Sequence, residues 1–478
     1  MVKTSSVILG LGWLVLAHPL SADPSSEADR FWGQWRGPRA TGVAPLADPP
    51  VEWSDDKNIR WKVELPGEGQ STPIVWGDLV YIQAAIPEKV AVASGEEPKT
   101  EDGRRGGGQA SGDANDAEGG ERERRDGEGR PDRRGGRGRR TEAPAETYQF
   151  TIMAFDRKTG KQTWVHTVRK EVPHEGSHQD GSLAPASPLT DGSRLFAFFG
   201  SRGLYAFDMQ GKLLWERDFG DMKTRAGFGE GSSPVLYKDT LVVNWDHEGD
   251  SFIVALDKNT GQERWRKNRS EVTTWATPLI LEANGKVQIV VPASKRVRGY
   301  DLANGNVLWE CGGLGANCVP SPVAGLGLVF AMSGHRDPAL LAIRYEGASG
   351  DITGSEAVAW RIDKGTPYVP SPLLYGDALY LLQKNTGILS CYHPQTGTPH
   401  YEQQRLEEID GVYASPIGAR NRVYITGRNG ATHVLKRGPK FEILAINKLK
   451  DDFSASPAAA GKEFYLRGRK NLYCIAAE

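Results

Sequence analysis

The apolar positions of this chain gather in short runs of β character and not in helical stripes. Eight runs, DLVYIQ, RLFAFF, TLVVNW, VQIVVP, LVFAMS, ALYLLQ, RVYITG and EFYLRG, are rich in branched and aromatic residues and predict strands. Each comes shortly after a Ser or Thr joined to Pro: Thr72-Pro73, Ser187-Pro188, Ser233-Pro234, Thr277-Pro278, Ser321-Pro322, Ser371-Pro372, Ser415-Pro416 and Ser456-Pro457. From Pro188 onward the prolines lie 46, 44, 44, 50, 44 and 41 residues apart, and only the first interval, 115, breaks the rhythm. A third run ends in turn chemistry, as in MAFDRKTGKQTW, YAFDMQGKLLW, VALDKNTGQERW and GYDLANGNVLW. There Thr-Gly, Gln-Gly or Asn-Gly closes a tight hairpin and an aromatic opens a fourth strand. Four short antiparallel strands in a unit of roughly 40–50 residues describe one blade. The pattern predicts an all-β fold, an eight-bladed β-propeller of four-stranded antiparallel blades.

The fourth-strand aromatics Trp164, Trp215, Trp265, Trp309, Trp360, Tyr401 and Phe441 account for seven blades. The last unit ends at Glu478 before a fourth strand, whereas NIRWKVEL lies upstream of the first anchor. Trp61 is therefore expected to bring the missing strand, so that an N-terminal strand closes the ring and removes an open sheet edge. The propeller then occupies residues 58–478, and residues 23–57 form a strap whose Trp32 and Trp35 are expected to pack against an outer blade. Residues 1–22, with Lys3, the apolar VILGLGWLVLA and Leu20-Ser21-Ala22, read as a signal peptide. No Cys precedes Cys311, which argues against a lipid anchor, and no later stretch is long and apolar enough to span a bilayer. A periplasmic or secreted monomer follows as the expectation.

The anomalous first interval holds residues 86–147, a Gly-, Arg-, Asp- and Glu-rich insertion in blade 1 that cannot bury enough surface to order. Its Arg-Gly clusters resemble single-stranded nucleic-acid binders. The interspersed acids, and the balance of 59 Lys and Arg against 60 Asp and Glu, predict a solvated loop and no nucleic-acid partner. Of the four cysteines, Cys311 and Cys318 are spaced to allow a short-loop disulfide in an oxidising compartment. Cys391 and Cys474 fall where other blades carry Ala154, Ala206, Ala255 and Ala342, so they are expected to be packing residues.

The A-x-D-x-x-T-G-x-x-x-W units at 154–164 and 255–265, with the variants YAFDMQGKLLW and YDLANGNVLW, resemble the pyrroloquinoline-quinone-like (PQQ-like) propeller repeat family. The resemblance covers nearly the whole mature chain. It implies relatives of two kinds: quinone-dependent alcohol dehydrogenases and the non-catalytic propeller of the outer-membrane protein assembly machinery. A dehydrogenase would need a Ca²⁺ or similar ion beside the quinone, a catalytic Asp, a stacking Trp and usually two adjacent cysteines. This chain has no adjacent cysteine pair.

In a propeller, the stretch before strand one and the loop joining strands two and three of every blade emerge on one face. That face collects the candidate ligand-binding residues His178 from HEGSHQD, Arg225 and Glu230 from TRAGFGEG, and Trp275 from TTWATP. It also collects Asp246, His247 and Glu248 from the run DHEGD, four potential metal ligands in five residues. One reading of DHEGD is turn capping and packing. The other is a divalent-metal or anion site with Asp246, His247 and Glu248 as ligands and Arg225 as clamp. Consecutive side chains on a strand point to alternate sides, so that site would need help from Glu230 or His178. The reading adopted is an exported binding or scaffold protein that holds a protein or glycan ligand on this polar face without a resident cofactor. The alternatives are a quinoprotein (PQQ-dependent) dehydrogenase with its divalent metal, or a metal-dependent hydrolase on the same face.

Overall fold

The computed structural model describes residues 27–88 and 141–477. Residues 1–22, read above as a signal peptide, and most of the Gly/Arg-rich insertion lie outside the described residues. Eight sheets form, one per anchor, each built on four antiparallel strands, and two of them carry a fifth strand paired in parallel. Blade 1 runs Ile74–Trp76, Leu79–Pro87, Tyr148–Asp156 and Gln162–Glu171. Pairing there continues out to Pro87 opposite Tyr148, and the Thr141 N–H donates to Ala226 O. The two ends of the insertion, 86–88 and 141–147, are therefore placed, contrary to the expectation for the whole segment. The ring closes as predicted: Ile59–Glu64 is the fourth strand of blade 8, with Trp61 opposite Cys474.

Two repeated devices join the blades. The first uses the anchors, whose role goes beyond turn chemistry. The backbone N–H of each Ser or Thr donates to the hydroxyl of the next anchor: Thr72 to Ser187, Ser187 to Ser233, Ser233 to Thr277, Thr277 to Ser321, Ser321 to Ser371, Ser371 to Ser415 and Ser415 to Ser456, all at 2.9–3.1 Å. Strand one starts beside the channel, where a buried N–H must find an acceptor. The neighbouring hydroxyl supplies one, and the relay runs round the ring through seven links.

The second device is the fourth-strand aromatic. Trp61, Trp215, Trp265 and Trp360 each send the indole N–H to a backbone carbonyl in the following blade's hairpin, at Arg157, Lys258, Leu302 and Pro394. Each ring lies flat against the hairpin glycine, so that a Cβ on Gly160, Gly261, Gly305 or Gly397 would come within 2.5–2.7 Å of it. These glycines hold φ between 69° and 72°. Both requirements select glycine: the left-handed turn and the close approach of a ring.

The latch is incomplete at the other four junctions: the Trp164 indole N–H has no partner among the described residues, blade 6 carries Tyr401 in place of Trp, Trp309 turns elsewhere, and Phe441 lies outside its strand, the last of these correcting an expectation. Trp309 turns inward and donates to Gln288 Oε1 on its own blade. Blade 5 has no short hairpin at that place: its loop contributes Gly350–Asp351, which adds as a fifth strand to blade 4 beside Trp309. Phe441 does not open the fourth strand of blade 7. That strand is Ile443–Lys448, with Ala445 opposite Val434, and Phe441 instead receives the ring of Tyr401 from blade 6. Trp53 of the strap supplies the absent aromatic, stacking on Tyr424 and packing on Phe464, while its backbone N–H donates to Asn447 Oδ1.

The strap itself corrects a third expectation, because it crosses the end of the central channel and does not lie along an outer blade. Trp32 bridges to Val75 in blade 1, and Gly33 O accepts from Thr190 in blade 2. Trp35 donates to Ser321 Oγ in blade 5, and the buried Arg36 donates to Pro372 O and Pro416 O of blades 6 and 7. Val43–Ala44 then pairs with the first strand of blade 7. A segment that touches six blades has no repeat to reveal its path.

Candidate functional site: the central channel

A cavity of about 250 Å³ occupies the channel above the strap. Trp35 lines one end, and the loops carrying His178, Asp180, Phe228, Glu230, Trp275, Tyr368 and Tyr413 line the other. Between them the wall carries the anchor hydroxyls of Ser187, Ser233, Thr277, Ser321, Ser371, Ser415 and Ser456. In the relay each of these oxygens accepts an N–H and keeps its own O–H available to donate. The cavity therefore presents a belt of hydroxyl donors between aromatic rings, a lining suited to groups with apolar faces and oxygen acceptors.

The structure divides the predicted face residues. His178, Glu230 and Trp275 line the cavity. The His178 Nδ1 accepts the Asp180 N–H at 3.2 Å, and the ring stands edge-on to Phe228. Trp275 is fixed by its indole N–H on Gly229 O at 2.8 Å. Glu230 accepts from the Ser201 N–H and hydroxyl and from Arg202. Burial raises its pKa, against the opposing pull of Arg202 and Ser201. Arg225 is exposed near His335, whose pKa is lowered first by burial and then by Arg336, Arg225 and Lys384. The His335 ring lies 4.9 Å from that of Tyr368, which places this positive cluster beside the cavity.

The DHEGD run is turned to internal use. Asp246 accepts both Nε and Nη2 of Arg269 at 2.7 and 2.9 Å, and also Thr274 Oγ1 and Asn244 Nδ2. Its side chain and that of Arg269 are almost fully buried. Burial alone would lower the Arg269 pKa, but Asp246 and Tyr300 beside it outweigh that and raise it. His247 Nδ1 accepts the Lys223 N–H, and Glu248 accepts from the Thr273 N–H and hydroxyl. Asp246 and Glu248 thus bond to the segment 269–274 and His247 to Lys223, so the three side chains do not converge on one point. Among the described residues no group of three or more His, Cys, Asp or Glu is placed to hold a metal ion.

The allowed disulfide is also corrected. Cys311 and Cys318 are free and buried, and the Cys318 thiol points at Ala293 O, 3.0 Å away. Cys311 lies on the fourth strand of blade 4 facing the core, while Cys318 is held by the backbone of the following loop. Burial pushes the two thiols up to about 11 and about 12. Cys391 and Cys474 are free, fully buried packing residues opposite Tyr401 and Trp61.

Sequence reasoning did not single out the most connected group at the cavity mouth. Asp180 Oδ2 accepts the Tyr413 hydroxyl at 2.9 Å, and its Oδ1 pairs with Arg428 at 2.9 Å. The Arg428 guanidinium lies 4.6 Å from the Tyr413 ring centroid, and Gln70 donates to Asp180 O. These contacts tie the loop before blade 2 to blade 7 and to the stretch before blade 1 across the mouth. HEGSHQD held the signal, since a loop so dense in polar groups needs partners, but the partners lie more than 100 residues away.

The lining does not suit the quinone that the repeat implies. A quinone bearing carboxylates needs cations around it, yet no Arg or Lys is among the lining residues. The two acids that could face a metal ion, Asp180 and Glu230, are already bonded to Arg428 with Tyr413 and to Arg202 with Ser201. The residues present do not fit that group.

Solved structures share the architecture. Quinohemoprotein alcohol dehydrogenase from Comamonas testosteroni aligns with a TM-score of 0.56 at 10% identity, over 95% of this chain and 82% of that one. A europium-containing methanol dehydrogenase aligns at 0.55 and 11%, over 93% and 91%. BamB from Moraxella catarrhalis aligns at 0.48 and 12%, over 68% and 93%. At such identities the likeness to the two dehydrogenases shows the fold alone. The comparison with curated proteins finds no match. A family model, PQQ_2, described as outer membrane protein assembly factor BamB, matches residues 149–403, more than half of the sequence. The chain belongs to this PQQ_2 family of propellers.

Proposed function

We propose that this protein is an exported binding scaffold whose channel cavity receives part of a protein partner. The observation that carries the reading is the cavity itself: aromatic rings and hydroxyl donors at one end of a channel that the chain's own strap crosses at the other. The relay and the indole latches hold the lining in place, so little ordering accompanies binding. A side chain with an apolar face would lie against Trp275, Tyr368 and Tyr413, and backbone carbonyls of the partner would meet the hydroxyls. The family's description as an outer membrane protein assembly factor supports a protein partner and an exported location. Among the described residues no helix is long and apolar enough to cross a membrane.

The test is quantitative co-purification of partners from the exported fraction of the native host. Trp275→Ala and Tyr368→Ala are expected to reduce capture of the same partner at least tenfold, while Glu248→Ala, outside the cavity, leaves it unchanged. Full capture by both cavity variants would overturn the assignment. Capture restored by free oligosaccharide elution alone would replace the protein partner with a glycan.

A further inference from the structure

Four cations at the channel mouth have no use inside the fold. Arg225, Lys295, Arg336 and Lys384 are exposed, and among the described residues none of their side chains has an ion pair or a hydrogen bond. They belong to four different blades, whose loops the backbone draws together. The Arg225 N–H donates to Thr273 Oγ1, before blade 4. The Lys295 N–H donates to Gly315 O at 3.2 Å, and Ala316 bridges to Arg336. The Lys384 N–H donates to Thr366 O, and its carbonyl accepts the Tyr368 N–H. The His335 ring, 4.9 Å from that of Tyr368, stands among them. Burial lowers its pKa first, and Arg336, Arg225 and Lys384 lower it further, with no carboxylate acting against them.

Acids border this arc without neutralising it. Asp337 follows Arg336, Glu248 and Asp250 stand on the blade 3 side, and Glu407, Glu408 and Asp410 stand on the blade 7 side. Glu248 is held by Thr273 and Asp410 by Asn429, and none of the six pairs with a cation of the arc. The far side of the mouth is neutral by pairing, with Arg428 on Asp180 at 2.9 Å and Arg469 facing Glu68 at 3.4 Å. A formal net charge of -1 for the whole chain conceals this separation. Four like charges kept on one rim repel one another, an arrangement that attracts and orients an oppositely charged partner.

We infer that this arc docks an acidic segment of the protein partner, with Asp or Glu side chains of that segment along Arg225, Lys295, Arg336 and Lys384. The inference rests on the channel reading for the partner's being a protein. Charges spread over the loops of four blades suit an extended chain better than one small anion. The cations stand outside the cavity, whose lining holds no Arg or Lys, so the acidic residues lie at the rim beside whatever enters it. Exposed pairs of this kind govern encounter rate and orientation, and they weaken with salt.

The test measures binding of two synthetic peptides of equal length to the full mature chain by fluorescence anisotropy. In one, Asp and Glu flank a central Trp; in the other, Lys replaces every acid. The acidic peptide is expected to bind saturably and to weaken steeply with added salt, and the basic one not to bind. The triple change Arg225→Glu, Arg336→Glu and Lys384→Glu, all at exposed side chains, should weaken the acidic peptide at least tenfold. If that variant does not fold, Arg336→Gln with Lys384→Gln should still weaken it at least threefold. No binding of the acidic peptide by the wild type, equal binding of both peptides, or unchanged affinity in a folded charge variant would overturn the inference. So would phosphatidylglycerol vesicles that bind through the same residues when the acidic peptide does not, since the arc would then face a membrane. Acidic-peptide binding indifferent to Trp275→Ala would sink the channel reading alone. Partner capture lost in Trp275→Ala but kept by the triple charge variant would sink this inference alone.

Discussion

Arg269 and Arg467 are two buried guanidiniums in one propeller, and they meet opposite surroundings. Arg269 has Asp246 in a two-point ion pair, with the Tyr300 hydroxyl as a third partner. Arg467 has a serine and two unmet nitrogens. The contrast separates a buried charge paired inside the fold from one left without a counter-charge. Density of charged residues does not make that separation, because the dense run DHEGD is the one consumed internally. What decides is whether the surrounding segments bring partners. Thr273, Thr274, Ser251 and Arg269 do so for DHEGD, and among the described residues only Ser71 does so for Arg467.

The comparison breaks most visibly at Asp246. Asp246→Ala leaves Arg269 buried and unpaired, and is expected to cost about 3–5 kcal/mol in urea unfolding. The double change Asp246→Leu with Arg269→Met should recover most of that loss, since apolar replacements of a buried pair are often neutral. A double mutant as unstable as the single one would mean that the pair contributes more than mutual compensation.

Smaller effects test the frame that holds both arginines. Trp215→Ala removes one half-buried latch and should cost about 2–3 kcal/mol, below the range for a fully buried tryptophan. Trp53→Ala should cost a similar amount, because the strap ring substitutes at the junction of blades 7 and 8. A negligible loss there would return the strap to the role of a passive tether. Removing one relay hydroxyl, Ser371→Ala, should cost about 1 kcal/mol, whereas Thr72→Ala, whose hydroxyl has no partner, should cost clearly less. Smallest of all, a thiol titration should count four free cysteines in denaturant and almost none in the native protein, as burial requires. Two thiols in denaturant without reductant would restore the Cys311–Cys318 disulfide.

The blades were legible because each must satisfy the same backbone and the same packing, so the solution recurs along the chain. Ser/Thr-Pro, the hairpin glycine and the fourth-strand aromatic are one set of contacts repeated, and Trp61 could be assigned from the count alone. Phe441 misled because aromatic content stood in for register: the position opposite Val434 is Ala445, and the ring comes from Trp53, in a segment without periodicity. The strap's course through the channel was illegible for the same reason. At the cavity, Trp275, His178 and Glu230 were found because blade geometry fixes which loops share a face. Tyr413, Tyr368 and the hydroxyl belt were missed, since their meaning depends on closure of the ring and not on any local pattern.

The most direct measurement is site-specific photo-cross-linking in the native host, with a photoreactive residue at position 368 in the cavity or at position 250 at the exposed end of DHEGD. A defined adduct from position 368, weakened by Trp275→Ala and absent from position 250, is the predicted result. An adduct from position 250 with none from position 368 would contradict the account and return the binding site to the acidic run.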